Sequence, residues 1–211
     1  VNAAATLTER DGQAVWSGRR PAASPEGGDP LEVLAATLTA LDTPAEEGLP
    51  PFTSGMVGYL GYDVVRRLET LPDSNPDDLQ IPELVMMLAS DVAVLDHHTS
   101  QVWLIANAIN YDDSTERIDQ AYADACARVR ALAEAVATAS EPLVSQRPPV
   151  DAAPVVTRQR TSEQYRASVR EAVEEIKAGE AFQIVVSQRF DTPCDADALD
   201  VRLMLARLLL A

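Results

Sequence analysis

The chain has 211 residues, of which 46% are hydrophobic, and it carries a formal net charge of −16. This acidity is opposite in sign to a nucleic-acid-binding surface, and the two cysteines form no metal-binding or disulfide pattern. Because no apolar run has membrane-spanning length and the N-terminus does not resemble a signal peptide, we expect a cytoplasmic protein without nucleic-acid or membrane partners.

The first elements predicted are a hairpin and a helix. Alternating apolar and polar residues flank Asp11-Gly12, a dipeptide typical of two-residue hairpin turns. Farther along, Asp29 is placed to cap a helix whose first residue is Pro30. The apolar face of that helix is expected to comprise Leu31, Leu34, Leu38 and Leu41.

The stretch FTSGMVGYLGYDVVRRLE has a glycine at every third position, namely Gly55, Gly58 and Gly61. Glycine at this density weakens a helix, so the stretch predicts a strand with close backbone approach, then a short helix from Asp63. A phosphate-binding loop is the alternative, but the glycine spacing fits neither common motif and the lysine is missing.

Two apolar strands, residues 85–95 and 101–109, are predicted next, with the turn DHHTS between them. His97 and His98 are the only histidines of the chain. Adjacent residues of a strand point to opposite faces, so we expect a solvated turn here and no shared metal ion.

A long helix follows, for which Ser114 or Thr115 is the expected cap. Its apolar stripe is expected to comprise Ile118, Tyr122, Ala125, Val129, Leu132 and Val136. The proline-rich segment after it predicts a linker. We therefore predict an N-terminal domain at 1–145, a linker at 146–157 and a second domain at 158–211.

The second domain is predicted to open with a helix and a buried strand. Thr161 and Gln164 form a capping-box pattern, and Gly179 is placed as the C-cap. The helical stripe comprises Tyr165, Val169, Ala172 and Ile176. The strand, residues 182–186, contains one amide, Gln183, which is either a core residue bonded to nearby backbone or a residue facing a reaction centre. A last helix is predicted after Cys194.

Two parts of the chain resemble the large subunits of anthranilate synthases. The glycine-rich stretch with IPELVMMLASDVAVLDHHTSQVWLIANAI resembles their N-terminal domain, and SEQYRASVREAVEEIKAGEAFQIVVSQRF resembles the start of their chorismate-binding domain. The resemblance covers residues 3 to 200 and implies an α+β fold of two-layer antiparallel sheets with flanking helices. Aminodeoxychorismate synthase component I shares much of the pattern and is the alternative.

The resemblance also implies a function. Anthranilate synthases are lyases that convert chorismate and ammonia to anthranilate and pyruvate in tryptophan biosynthesis. They require Mg²⁺, receive ammonia from a glutamine amidotransferase subunit and are inhibited by tryptophan. Sister enzymes that add water to chorismate carry a lysine at the position of Gln183. Since ammonia requires no such base, we expect the neutral amide of Gln183 to orient it.

The sequence departs from the family in several places. The family's Leu-Leu-Glu-Ser stretch, its Asn-Pro-Ser-Pro-Tyr-Met segment, its catalytic histidine and its acidic magnesium ligands have no counterpart here, and Val186 replaces a common proline. A chorismate site requires several converging groups. We therefore expect a fragment that is inactive alone and holds no magnesium ligands. A non-catalytic scaffold that only docks the amidotransferase is the competing interpretation.

Overall fold

The chain folds into two compact units, residues 1–139 and 140–211, each containing helix and antiparallel strand. The computed structural model describes residues 3–44, 46–138, 155–194, 196–198 and 201. The α+β class expected from the sequence is confirmed. Most of the predicted linker lies outside the described residues, so the domain boundaries stay a prediction.

A four-stranded antiparallel sheet is the centre of the first unit. Its strands, in the spatial order β2-β1-β4-β3, are β1 (Ala3–Arg10), β2 (Gln13–Gly18), β3 (Gly55–Leu60) and β4 (Leu84–Ala89). Asp11 and Gly12 join β1 to β2 with φ of 50° and 77°, the positive values that a type I′ turn requires. The predicted hairpin is confirmed.

The glycine-rich strand β3 lies unusually close to β4. A Cβ atom on Gly58 would lie only 1.8 Å from the carbonyl oxygen of Val85, so no larger residue fits without separating the strands. A 3₁₀ helix (Tyr62–Arg67) follows β3. The predicted strand with close backbone approach and the short helix after it are both confirmed.

Helix α1 (Pro30–Ala40) begins as the sequence predicts. The Asp29 carboxylate accepts hydrogen bonds from the backbone N–H groups of Leu31 (2.9 Å) and Glu32 (3.2 Å), which have no partner inside the helix. Pro30 occupies the first turn, where a missing N–H costs nothing.

The apolar face predicted for α1 is correct only in part. Leu31 and Leu34 are half-buried and pack against the core, but Leu38 is 48% exposed, and the fully buried residues of the helix are Pro30, Val33 and Thr37. Thr37 can be buried because its hydroxyl donates to the carbonyl oxygen of Val33 at 2.7 Å, which satisfies the polar group inside the core. Helix α1 thereby contributes Val33 to a core cluster with Leu7, Ala14 and Leu84.

The single strand predicted at 85–95 is wrong, because Ser90 divides it into β4 and β5 (Asp91–Asp96). The N–H of Ser90 donates to Leu88 within a tight bend, and its carbonyl accepts from the backbone and side-chain nitrogens of Asn107. Strand β5 pairs with β6 (Gln101–Ala106) in a separate sheet. Ser90 and Asn107 are far apart in sequence, so the continuous apolar run at 85–95 does not predict the break at Ser90.

The turn between β5 and β6 is solvated, as expected. His97 and His98 are both exposed. The Asp96 carboxylate accepts from the backbone N–H groups of His98 and Thr99 and from the Thr99 hydroxyl, which holds the turn through its own backbone.

Helix α2 (Ile118–Ala137) starts later than predicted. Neither Ser114 nor Thr115 caps it, and Ser114 instead donates its hydroxyl to Asp112 at 3.0 Å. Of the predicted apolar stripe, Ala125 is buried, while Ile118, Tyr122 and Val136 are 55%, 67% and 56% exposed. The middle of α2 packs on β6. No described helix is long and apolar enough to cross a membrane.

The second unit is built on helix α3 (Ser162–Ala178) and a short pair of strands, β7 (Thr157–Arg158) and β8 (Phe190–Asp191). The capping box is confirmed, because the Thr161 N–H donates to Gln164 Oε1 at 2.8 Å and the Gln164 N–H donates to Thr161 Oγ1 at 3.2 Å. Gly179 ends the helix with φ of 87°, as a left-handed C-cap requires.

The buried strand predicted at residues 182–186 is wrong. This segment is neither helix nor strand, and pairing with a neighbouring strand begins only farther along the chain, at Phe190 and Asp191. A strand forms when a second strand satisfies its backbone groups, and none of the described strands lies beside 182–189. Most of the helix predicted after Cys194 lies outside the described residues.

Candidate functional site

The residue singled out by the sequence, Gln183, lies on an open surface. Its side chain is exposed and makes no hydrogen bond to any described residue. Its neighbours Phe182 and Val185 are 97% and 80% exposed. The structure therefore does not show the core amide that was one of the two interpretations of this position. Its proposed role toward ammonia stays a prediction.

Among the described residues, side-chain hydrogen bonds hold only the C-terminal part of the segment 182–189. Tyr165 donates its hydroxyl to the carbonyl oxygen of Val186 at 3.3 Å, and Gln188 Nε2 donates to the carbonyl oxygen of Arg160 at 2.9 Å. On α3 no residue is fully buried, and the stripe residues Val169 and Ile176 are 38% and 40% exposed. The described part of the second unit thus presents exposed apolar side chains together with the amide of Gln183.

The magnesium ion implied by the resemblance has no matching ligand set in the described part of the chain. There, no three or more His, Cys, Asp or Glu side chains are grouped so as to hold a metal ion. Magnesium takes oxygen ligands in octahedral geometry, usually from carboxylates with several waters. The described residues therefore do not fit the ion.

A charged cluster in the first unit is structural. Arg67 bridges Asp29 (2.7 Å) and Glu83 (2.8 Å), which ties the start of α1 to the residue before β4. Burial opposes ionisation of Asp29, but hydrogen bonds from Glu32 and Leu31 and the charge of Arg67 outweigh it, so the pKa of Asp29 is lowered from 3.8.

A cavity of about 340 Å³ lies where the chain passes from β6 into α2. At its edge the Arg19 guanidinium lies 4.1 Å from the ring centroid of Tyr111, a cation–π contact. Burial raises the pKa of Tyr111 above 10.0, although Arg19 opposes the shift. Other lining residues are Asn110, Asp112, Arg117, Ile118, Tyr122 and Arg128.

The carboxylates beside this cavity are already paired. Arg128 contacts Asp91, donates from Nε to the Asp124 carboxylate at 3.1 Å and donates to the carbonyl oxygen of Asn107 at 2.8 Å. Arg117 Nε lies 3.4 Å from Asp112. The cavity could not be predicted from the sequence, because no local pattern indicates that Arg19 contacts Tyr111.

The sequence pattern of the chorismate binding enzyme family matches residues 3–208. The chain belongs to this family. Anthranilate synthase component 1 of Mycolicibacterium smegmatis is 47% identical over 206 residues, which are 95% of this chain and 38% of that protein. The Mycobacterium tuberculosis protein of the same name is also 47% identical, over 95% of this chain and 39% of that protein.

A relative from Arthrobacter globiformis, again an anthranilate synthase component 1, is 46% identical over 93% of this chain and 38% of its own length. The chain therefore spans about two fifths of the length of these relatives. The crystal structure of anthranilate synthase component I from Streptococcus pneumoniae TIGR4 matches 97% of this chain and 43% of that chain with a TM-score of 0.70. At 20% identity, this likeness shows the fold alone.

Proposed function

We propose that this chain forms part of an anthranilate synthase large subunit, which converts chorismate and ammonia to anthranilate and pyruvate in tryptophan biosynthesis. The observation that carries the proposal is the 47% identity to the M. smegmatis anthranilate synthase component 1 across 95% of the chain. The alignment covers both units, so the similarity is not limited to one shared motif.

The reaction makes different demands from the addition of water. Ammonia forms a bond to a ring carbon as the hydroxyl leaves, and loss of the enolpyruvyl group as pyruvate then leaves an aromatic ring. Ammonia is already a competent nucleophile, so a neutral amide that orients it suffices. One observation supports this role for Gln183. Its amide is exposed and has no described hydrogen-bond partner that would compete with ammonia.

The proposal extends to the partners of the whole protein. A glutamine amidotransferase subunit would supply ammonia, tryptophan would act as feedback inhibitor, and the complex would work in the cytoplasm. The proposed enzyme uses Mg²⁺, and because the described residues do not fit the ion, we place its ligands outside the described part of this chain. The isolated chain is then expected to have no activity.

A chimera tests the proposal directly. Residues 3–208 would replace the matching segment of the M. smegmatis enzyme, and anthranilate fluorescence would be followed with chorismate, ammonium and Mg²⁺ supplied. The parent enzyme and a version lacking the segment are the controls. We expect ammonia-dependent anthranilate formation. Release of aminodeoxychorismate would favour the folate-pathway alternative, and a folded but inactive chimera would favour the scaffold.

A further inference from the structure

The cavity beside Tyr111 contains one cation that no described carboxylate neutralises. Three arginines line it, and two of them, Arg117 and Arg128, are paired with aspartates. The side chain of the third, Arg19, lies over the ring of Tyr111 and has no hydrogen-bond or ion-pair partner among the residues that the structure describes. In a chain whose net charge is −16, a cation left unpaired beside a cavity favours an anion there.

The cation–π contact of Arg19 leaves its hydrogen-bond donors available. A guanidinium carries its N–H groups in a planar fork, and two of them match the two oxygens of a carboxylate. No described acceptor takes a hydrogen bond from this guanidinium. The donors are therefore unused, although the ring contact already restricts the side chain.

The volume and the lining side chains of the cavity indicate the size and the apolar character of a ligand. A volume of about 340 Å³ lies at the lower end of the range for small-molecule sites. Ile118 and Tyr122 line the cavity and are 55% and 67% exposed, so their apolar surface is accessible to solvent. A flat apolar body would cover this surface and gain from its removal from water.

We propose that this cavity binds a small aromatic monocarboxylate, with its carboxylate on Arg19 and its ring against Ile118 and Tyr122. A single negative charge matches the single unpaired guanidinium. Arg117 and Arg128 are already paired with aspartates, so no second unpaired guanidinium among the described residues lines the cavity to hold a second negative charge, which disfavours a phosphate dianion or the dicarboxylate chorismate. The site lies within the first unit and does not depend on the proposed lyase activity.

Benzoate and benzamide are the probes, since they share a shape and differ in charge. Each would be titrated into the full ¹⁵N-labelled chain and followed by the backbone amide signals of Arg19, Asn110 and Tyr111. We expect saturable shifts at these residues with benzoate and at least about tenfold weaker binding of benzamide, because a charge-assisted hydrogen bond contributes that much. Equal binding of the two probes, or benzoate shifts located elsewhere, would overturn the proposal.

Two arginine variants complete the test. Arg19→Gln should weaken benzoate binding about tenfold. Arg10→Gln removes the same charge from an exposed arginine that does not line the cavity, and it should leave the affinity unchanged. If Arg19→Gln fails to fold, Arg19→Lys keeps the charge, loses the planar fork and should still bind more weakly than wild type. An equal loss in the variants at positions 10 and 19 would mean that only net charge matters, and the site would be rejected.

Discussion

Two short apolar runs of this chain end in opposite environments. Strand β4 pairs with β1 on one side and β3 on the other, and its residues Leu84 and Leu88 are each 1% exposed. The segment 182–186 is as apolar in sequence, yet it pairs with no described strand. The comparison shows that an apolar run becomes a buried strand only where neighbours satisfy its backbone and cover its faces.

The largest expected difference between the two runs is in hydrogen exchange. Amides of β4 should exchange only when the first unit unfolds, whereas those of 182–186 should exchange from the folded state. With a typical unfolding free energy of at least about 5 kcal/mol, the protection factors should differ by three orders of magnitude or more. Mass spectrometry of peptic peptides from the two segments measures this. Similar protection in both would mean that 182–186 is paired in solution.

When one side chain is truncated in each run, the losses in the free energy of unfolding should differ by about 3 kcal/mol. Leu84→Ala empties a fully buried site and should lower the free energy of unfolding by about 3 kcal/mol. Val185→Ala, at a residue 80% exposed, should change it by less than about 0.5 kcal/mol. Denaturant titrations followed by circular dichroism measure both.

Leu95→Ala is the matched control, since it makes the same change as Leu84→Ala at a residue 58% exposed. Leu95→Ala should lower the free energy of unfolding clearly less than Leu84→Ala does. Both tryptophans, Trp16 and Trp103, lie in the first unit, so their fluorescence reports that unit separately. A Leu95→Ala effect as large as that of Leu84→Ala would show that burial does not decide the cost.

The features that the sequence predicted well are those set by a few adjacent residues. The Asp11-Gly12 turn, the Asp29 cap, the capping box of Thr161 and the Gly179 C-cap all follow from local backbone chemistry. The break at Ser90 and the missing strand at 182–186 depend on partners far along the chain. Periodicity contains no information about such partners, so these predictions failed.

The same distinction between local and long-range information applies to the two candidate sites, Gln183 and the cavity beside Tyr111. Gln183 was found by its unusual residue type within an apolar run and by the family resemblance, and the structure adds its exposure. Arg19 and Tyr111 belong to no motif, and only the fold brings them together. A candidate binding site assembled from residues in separate elements therefore requires coordinates, whereas a candidate catalytic residue inside a recognisable segment does not.

Gln183 offers a test in which catalysis and stability separate. In the active chimera, Gln183→Leu should lower ammonia-dependent turnover on the order of a hundredfold, the usual cost of one positioned polar group. Because the side chain is exposed and unpaired, the melting temperature should hardly change. Gln183→Lys should also depress amination, since its cation would occupy the position of ammonia. Steady-state rates and melting curves measure both effects.

The control is a second glutamine of the same segment. Gln188 donates to the carbonyl oxygen of Arg160, so Gln188→Leu should lower stability by about 1 kcal/mol and leave turnover unchanged. Normal turnover in Gln183→Leu would remove this residue from the proposed mechanism. Activity of the chimera before mutation shows separately whether the lyase assignment holds.

The smallest effect concerns the Asp29 cap, which differs from the Thr161 cap in carrying a charge. The pKa of Asp29 is lowered from 3.8 in the folded chain, so the folded state binds a proton less readily than the unfolded state. Its charge therefore contributes stability above the unfolded pKa of 3.8, and this contribution is lost as pH falls through the lower folded value. The cap of Thr161 has no charged group to titrate.

Asp29→Asn isolates this charge, because an asparagine side chain can still accept the hydrogen bonds from Leu31 and Glu32. At pH 6 the variant should melt at a lower temperature than wild type, by an amount equivalent to less than about 1 kcal/mol, since Asp29 and its partner Arg67 are partly exposed. As the pH falls below 3.8 the gap should narrow, because the stability contributed by the Asp29 charge is lost as the carboxylate becomes protonated. Thr161→Ser should show a gap that does not change with pH. A pH-independent gap for Asp29→Asn would mean that the hydrogen bonds alone, and not the charge, stabilise the start of α1.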